Sequence, residues 1–260
     1  FTEPDSPIGA QAGYAGDPGG LPRIAISEGQ DLEFSHRHHS HLAALHPFDT
    51  LDPEEGEFSR LLAPTVHHWL ETGPGNWIAF SFVWASIIYS RIKDGEAAYL
   101  HYELWHRLFT TEYRGTVELA RLSGLTTWTS GEGGNLMQMD AAMGAVNAIQ
   151  EMLLHTVRGK LTVFPAVPSA WRKAASFKNM RAEGAFLVGA KMKEGRIINV
   201  EIESVKGAVL KLANNIAEDI VVIRDGKEGR TKAKLLTLQT RPGETITILP
   251  AAGDPETGPD

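Results

Sequence analysis

The residues most able to do chemistry in this chain lie in one short run, residues 35–42, which reads Ser-His-Arg-His-His-Ser-His-Leu. Imidazole and guanidinium groups are costly to bury unless they are paired, so this density is typical of a polar cavity, a metal site or a substrate site. Apolar residues flank the run, and we expect them to pin the segment to a core: Phe34, Leu42, Leu45 and Phe48. The pattern therefore predicts one wall of a polar pocket.

Three interpretations of this cluster stay open. His36 and His38 share one face of an extended segment, and such a pair could ligate a metal ion. Against a metal site, Arg37 would repel a cation, and the chain has neither a His-Glu-x-x-His motif nor a cysteine. The histidines could instead be structural, with backbone groups satisfying their ring nitrogens. The third interpretation is a substrate surface, because ring nitrogens beside an arginine fork suit sugar hydroxyls and carboxylates.

A second candidate is Asp140, which follows Gln138 where a glycine-rich stretch, 124–134, meets a predicted helix. Aspartate is a favoured N-cap because its carboxylate accepts hydrogen bonds from the free amides of the first helical turn. The same position could instead project the carboxylate into a cavity as a base. Trp77 and Trp128 also lie beside glycine-rich stretches, where an indole is either a core residue or a platform for a ligand.

The elements that must position these residues change type along the chain. Apolar residues at intervals of three and four predict helices over residues 57–72, 77–92, 96–113 and 140–157. After Gly159 short apolar runs predict strands, and Glu194-Gly195 predicts a hairpin between 186–193 and 196–204. Helices followed by strands without alternation indicate an α+β multidomain chain, with an all-α part and then a small antiparallel β-sandwich-like domain.

This change of periodicity places the predicted domain boundary near residue 158. The predicted organisation is an extended segment over 1–29, a helical part over 30–157, a β domain over 158–250 and a flexible tail over 251–260. The first and last of these segments are rich in glycine and proline, which is typical of loops.

Composition excludes several classes of protein. A formal net charge of −7 with scattered Lys and Arg speaks against a nucleic-acid partner. No apolar run approaches the ~20 residues that a membrane-spanning helix needs, so we expect no membrane partner. The chain has no cysteine, which fits either redox compartment, and its cellular location and oligomeric state stay open. Neither a phosphate-binding glycine loop nor a Gly-x-Ser-x-Gly motif is present.

Taken together, the motifs resemble glycoside hydrolase family 95, the α-L-fucosidase and α-L-galactosidase family. Residues 36–47 resemble its His-Arg-His-x-Ser-His-Leu segment with the trailing Leu-x-Pro. Residues 77–95 resemble its Gly-Trp-Ser-x-x-Trp helix, which ends in Gly-Asp-Gly. Residues 138–144 align without a gap with its Gln-Ile-Asp-Gly-Asn-Phe-Gly helix, and residues 164–171 and 181–186 resemble its entry into a C-terminal β domain.

The resemblance implies an (α/α)6 barrel followed by a β domain, and hydrolysis of a glycosidic bond with inversion. By resemblance, Asp140 is the general base that activates water. The side chains implied to bind the sugar of an oligosaccharide or glycoside substrate are His36, Arg37, His38, His41, Trp77 and Gln138. The resemblance implies no cofactor and no metal ion.

An inverting glycosidase needs a second carboxylic acid, roughly 6.5–9.5 Å from the base, to protonate the leaving oxygen. In the family this acid is a Glu on an earlier helix, which has no counterpart among these residues. The resemblance therefore predicts the C-terminal part of a longer glycosidase, inactive by itself. The motif also departs from the family at Ala141-Ala142 and Met143, where the family has Gly-Asn and an aromatic residue. These departures leave a non-catalytic carbohydrate-binding or degenerate homologue as the alternative.

Overall fold

The computed structural model describes residues 21–120, 125–126 and 136–251. Three predicted features lie outside these residues: most of the extended N-terminal segment, Trp128 and the tail from residue 252. The described chain falls into two compact units. We call them the helical unit (up to residue 92, and 97–148) and the β unit (93–96, and from residue 149).

Helices dominate the first part of the chain. They are α1 (Gly56–Thr72), α2 (Ala79–Arg91), α3 (Gly95–Leu108) and α4 (Met139–Leu153), with one 3-10 turn at Ser40–Leu42. The short α5 (Ser169–Arg172) lies in the β unit. Buried residues occupy eleven of the thirteen positions of α2. Its sequence is apolar on nearly all sides, which predicts a buried helix. α2 is therefore a core element of the helical unit.

Two helices end earlier than their periodicity predicts. α3 stops at Leu108, and the chain then folds back so that Thr110 pairs with Thr116 in a β-bridge. α4 stops at Leu153, and residues 154–157 form a strand instead of the last predicted helical turn. Arg158 and Gly159 follow at φ 48° and 74°, which is the backbone of a tight two-residue hairpin. Residues 154–157 cannot both continue α4 and pair in a hairpin, and in the structure they form the hairpin.

The β unit contains two sheets. Its strands are β1 (Leu154–Val157), β2 (Lys160–Val163), β3 (Ala174–Ala182), β4 (Phe186–Lys193), β5 (Arg196–Ser204), β6 (Val209–Ala213), β7 (Ile220–Arg224), β8 (Lys227–Thr231), β9 (Leu235–Gln239) and β10 (Glu244–Pro250). The four-stranded sheet has the order β1-β2-β6-β9, and the six-stranded sheet has the order β3-β4-β5-β10-β7-β8. One buried apolar cluster takes side chains from both sheets, so the two sheets share a core.

The pairing confirms the predicted hairpin and corrects one detail of the predicted sheet. β4 and β5 pair antiparallel through Glu194 and Gly195, whose φ values of 48° and 73° match a type I′ turn. However, β2 and β6 run parallel, with Leu161 opposite Leu212. Parallel neighbours need a long crossover, which β3, β4 and β5 supply here. The coarse prediction of a helical part followed by a β domain is confirmed.

Candidate active site

The structure divides the histidine run into an exposed half and a buried half. His36, Arg37 and His38 are exposed, whereas His39 is 0% exposed and His41 is 5% exposed. The chain bends at Arg37 and His39 has φ −96° and ψ 47°, so three consecutive side chains stay exposed before His39 turns inwards. The 3-10 turn at Ser40–Leu42 then carries His41 inwards. Only the exposed half can contact a ligand at the surface.

The flanking apolar residues divide in the same way. Leu42 and Leu45 are both 0% exposed and pin the segment to the core, as predicted. Phe34 and Phe48 are 64% and 69% exposed, so the prediction that they also anchor the segment is wrong. Phe34 stands two residues before His36 and four before His38. Phe34 is thus exposed on the same segment as the two histidines.

His39 has a structural role. Its Nδ1 accepts a hydrogen bond from Trp69 Nε1–H at 3.1 Å, which leaves Nε2–H to donate to the carbonyl of Ser81 at 2.9 Å. The rings of three tryptophans surround the imidazole at centroid distances of 4.7–5.3 Å: Trp69, Trp77 and Trp84. Burial lowers the pKa of His39 to about 3, so the ring is neutral at physiological pH.

Trp77 belongs to the same aromatic cluster. It is 3% exposed, stacks on Trp69 at a centroid distance of 5.3 Å and meets His39 edge-on. An indole enclosed in this way has no face to offer a sugar ring. The structure therefore places Trp77 in the core of the helical unit and not among the exposed side chains of the candidate site.

The first turn of α2 holds the histidine segment. Ser81 Oγ accepts a hydrogen bond from the Ile78 N–H at 3.1 Å and donates one to the carbonyl of Arg37 at 2.6 Å. The carbonyl of Ser81 is also the acceptor for His39. These contacts fix the backbone on both sides of His38, so the exposed imidazole extends from an anchored segment.

The same turn of α2 also holds the segment before Asp140. The Phe80 N–H, one of the free amides of α2, donates to Oε1 of Gln138 at 2.9 Å. Gln138 lies immediately before α4 and pairs through its own N–H with the carbonyl of Thr116, at 3.4 Å. Its side chain therefore links the beginnings of α2 and α4.

Asp140 lies in the first turn of α4, two positions after the N-cap residue Gln138, and its side chain is exposed. Its Oδ1 accepts a hydrogen bond from the Ala141 N–H at 2.9 Å. Within the described part of the chain, Oδ2 has no hydrogen-bond partner. One oxygen thus serves the helix while the other remains open to a ligand.

Electrostatics connect the two segments. The pKa of His38 lies below its ordinary value of 6.5, first through partial burial and then through the positive charges of Arg37 and His36. The carboxylate of Asp140 acts on the same pKa in the opposite direction. Asp140 is therefore near enough to His38 for the two charges to interact. A neutral His38 offers one donor and one acceptor nitrogen to a ligand.

His41 lies apart from this surface. Among the described residues neither of its ring nitrogens has a hydrogen-bond partner. Burial lowers its pKa to about 4, while the charge of Asp31 acts in the opposite direction. Asp31 is itself paired with Arg23, whose Nε donates to it at 2.7 Å. His41 is thus part of a buried polar group, and the structure does not bring it to the surface beside His38.

Two further features escaped the sequence prediction. A cavity of about 290 Å³ opens beside the exposed histidines, and its lining includes Glu33, Phe34, His36 and His38. The spacing of Phe34 from the two histidines could have indicated a shared face. Asn147 follows Asp140 by two helical turns, and its Nδ2 lies 3.4 Å from Nε2 of His46. Residues seven apart lie on the same face of a helix, so the spacing from Asp140 could have indicated Asn147.

No group of three or more His, Cys, Asp or Glu side chains in the described ranges is arranged to hold a metal ion. No described helix is long and apolar enough to cross a membrane.

Comparison with known protein families places the chain among the glycoside hydrolases. Residues 26–153 match the glycosyl hydrolase family 95 catalytic domain, and residues 156–248 match the glycoside hydrolase family 95 C-terminal domain. The chain therefore belongs to glycoside hydrolase family 95, as its motifs predict.

A named relative is alpha-L-fucosidase 2 of Arabidopsis thaliana. It is 28% identical to this chain over 174 residues, an alignment that covers 65% of this chain and 19% of the relative. The chain thus spans about a fifth of that relative's length.

Proposed function

We propose that the protein hydrolyses α-L-fucosyl or α-L-galactosyl glycosides with inversion, and that Asp140 is the general base. One observation carries the proposal: the exposed carboxylate in the first turn of α4 interacts with the exposed His38 inside the segment that matches the catalytic domain. An accessible carboxylate beside neutral hydrogen-bonding groups can accept a proton from water as that water attacks an anomeric carbon.

Each neighbouring side chain has a role in this proposal. The Ala141 N–H fixes one oxygen of Asp140, so the other is directed at the water. His36, Arg37 and His38 donate to sugar hydroxyls from the anchored segment. Gln138 uses its Oε1 to hold α2 and contributes its amide NH2 to the substrate. No cofactor takes part.

The same reaction requires a second carboxylic acid on the opposite side of the bond. We assign this acid, and the remaining helices of an (α/α)6 barrel, to segments of the whole protein beyond these 260 residues. Two facts support the assignment: the family's acid-bearing helix has no counterpart in the sequence, and the chain spans 19% of the fucosidase relative. The 260-residue chain alone is expected to show no turnover, and measurable turnover would contradict the assignment.

Asp140→Asn tests the base. In the longest natural polypeptide that contains these residues, kcat on an aryl α-L-fucoside or α-L-galactoside should fall by about 10²–10⁴ while KM changes little. Glu112→Gln removes an exposed carboxylate elsewhere in the helical unit and should leave kcat unchanged. Proton NMR of the first sugar released should show the β anomer. Retention of the α anomer, or full activity of Asp140→Asn, refutes the mechanism.

Binding without hydrolysis is the second candidate, and the residues after Asp140 favour it. Ala141 is 0% exposed, and Ala142 has no amide to support the base where the family has Asn. In this case the unmodified protein binds fucosyl or galactosyl oligosaccharides and releases no sugar. Asp140→Asn then changes neither property measurably.

A further inference from the structure

A second groove lies wholly within the β unit, and the proposed hydrolysis does not use it. Its volume is about 640 Å³, within the range of ~300–1,000 Å³ that is typical of small-molecule sites. Three cationic residues from separate segments line it, namely Lys93, Arg172 and Arg196, and no acidic residue is present among the described residues of the lining. The formal net charge of the chain is −7, so the groove reverses the prevailing sign of charge.

Backbone hydrogen bonds fix one corner of the groove. The Gly195 N–H donates to the carbonyl of Arg172 at 2.7 Å, and the Glu194 N–H donates to the carbonyl of Lys173 at 3.1 Å. These two bonds fasten the turn between β4 and β5 to the end of α5. They therefore bring Arg172 and Arg196, one residue beyond Gly195, to the same corner.

The other walls are equally fixed. A Cβ at Gly95 would lie 2.6 Å from the carbonyl oxygen of Ala166, so the backbone that follows Lys93 packs directly on the backbone of the β unit. Across the groove, Asn215 Nδ2 donates to the carbonyl of Val163 at 2.7 Å and anchors the loop after β6. The site is thus formed before any ligand arrives, as is usual for small-molecule sites.

The backbone at the groove departs from regular geometry. Lys191 pairs with Asn199 but Met192 pairs with Ile197, so Ile198 is an extra, bulged residue of β5. Ile198 is 43% exposed and lines the groove. Bulges often redirect a side chain next to a binding site. Two other lining residues, Lys93 and Phe164, hold positive φ values of 65° and 48°, a strained conformation that clusters at ligand sites.

We propose that this groove binds an acidic saccharide, one whose sugar ring carries a carboxylate. Two arginines at one corner can hold a carboxylate by paired hydrogen bonds. Ile198 offers an apolar ledge to the C–H face of a pyranose, and the volume accommodates about two sugar rings. Glu96 lies near Arg172, but its carboxylate accepts the Ser169 N–H at 2.5 Å and is outside the lining. The Glu96 carboxylate therefore reduces the positive charge near Arg172 but does not occupy the groove.

Titration of the full chain with a matched pair of disaccharides tests the proposal. The pair is α-1,4-linked digalacturonate and α-1,4-galactobiose, which differ in the C6 carboxylates. Calorimetry should show the acid binding at least tenfold more tightly than the neutral sugar. Arg172→Gln and Arg196→Gln should each weaken the binding of digalacturonate at least tenfold. Arg196→Lys keeps the positive charge but loses the planar guanidinium that can form two parallel hydrogen bonds. Its affinity for digalacturonate should lie between that of the Arg→Gln variants and that of the unmodified chain.

Lys211→Gln is the matched control, because Lys211 is an exposed cation on β6 outside the groove. It should leave the affinity for digalacturonate unchanged. Amide NMR shifts on digalacturonate binding should map to residues 193–198 and 215–217. Equal binding of galactobiose, equal binding of short polyglutamate, or insensitivity to both Arg→Gln variants would overturn the proposal. Asp140→Asn should leave the binding of digalacturonate in this groove unchanged. The outcome of this test is therefore independent of the proposed hydrolysis.

Discussion

The helical unit and the β unit bury their apolar side chains in different ways. In the β unit, alternating residues of two sheets enclose a single cluster, with Val188, Ile202 and Ile246 all at 0% exposure. In the helical unit, α4 keeps an apolar stripe at the surface, with Met143 and Val146 62% and 67% exposed. The central strands of the β unit thus enclose their apolar side chains, whereas α4 presents part of its apolar residues at the surface.

The two units also differ in the groups that respond to acid. Burial lowers the pKa of His39 to about 3, and of His41 and His46 to about 4. In the β unit the hydrogen bond from Arg224 is the main cause that lowers the pKa of Glu244 to about 2. The histidines and the carboxylate therefore lose their stabilising effect over different ranges of pH.

The largest expected effect is a separation of acid unfolding between the units. A histidine with a lowered pKa stabilises the fold fully above its unfolded pKa of 6.5, and this contribution falls as pH drops from 6.5 towards about 4. Glu244 keeps its contribution above 4.5 and loses it only towards about 2. Amide hydrogen exchange should therefore rise first in the helical unit between pH 6.5 and 4. If the amides of both units lost their protection from exchange at the same pH, the expected difference between the units would be contradicted.

Ile202→Ala tests how tightly the β unit is packed. Ile202 is in register with Val188 on one side and Ile246 on the other, so its truncation leaves a cavity between central strands. The free energy of unfolding should fall by about 2–5 kcal/mol, measured by chemical denaturation. Val146→Ala, on the exposed face of α4, is the matched truncation and should change it by less than ~0.5 kcal/mol. Equal losses would mean that α4 is packed in the isolated chain.

Gly144→Ala should destabilise the protein less than Ile202→Ala. A Cβ at Gly144 would lie 2.6 Å from Cγ2 of Val83, so α4 must move away from α2. The clash destabilises by about 1–3 kcal/mol, and the better helix propensity of Ala offsets about 1 kcal/mol of that. Combining it with Val83→Ala removes the obstructing methyl groups. The double variant should lose less stability than the sum of the two single variants, and strict additivity would show that the helices do not meet there.

Much of the fold follows from local patterns. The apolar runs on either side of Glu194-Gly195 predict the bounds of β4 and β5 to the residue, although not the bulge at Ile198. β8 has the sequence Lys-Glu-Gly-Arg-Thr and no apolar alternation, so only its pairing with β7 reveals it. β1 continues the helical spacing of α4, and its strand form depends on β2. Local residue types predict an element well only where its own side chains enter the core.

The site shows the same limit. The family motif identifies Asp140 and the histidine run, but residue types do not distinguish His38 from His39. That distinction depends on Ser81 and Trp69, which lie 42 and 30 residues from His39. The exposure of Phe34 likewise depends on the bends of the chain at Phe34 and Arg37, which the residue types do not reveal.

The first turn of α2 gives the candidate site a mechanical property. The backbone around His38 is bound to Ser81, and the residue that leads into Asp140 is bound to Phe80. The segment that carries His38 and the segment that carries Asp140 are thus both hydrogen-bonded to adjacent residues of one buried helix. A shift or rotation of α2 would carry the imidazole and the carboxylate together and preserve the gap between them. The distance between the His38 imidazole and the Asp140 carboxylate is therefore insensitive to rigid motion of α2. It is sensitive to bending within the first turn of that helix.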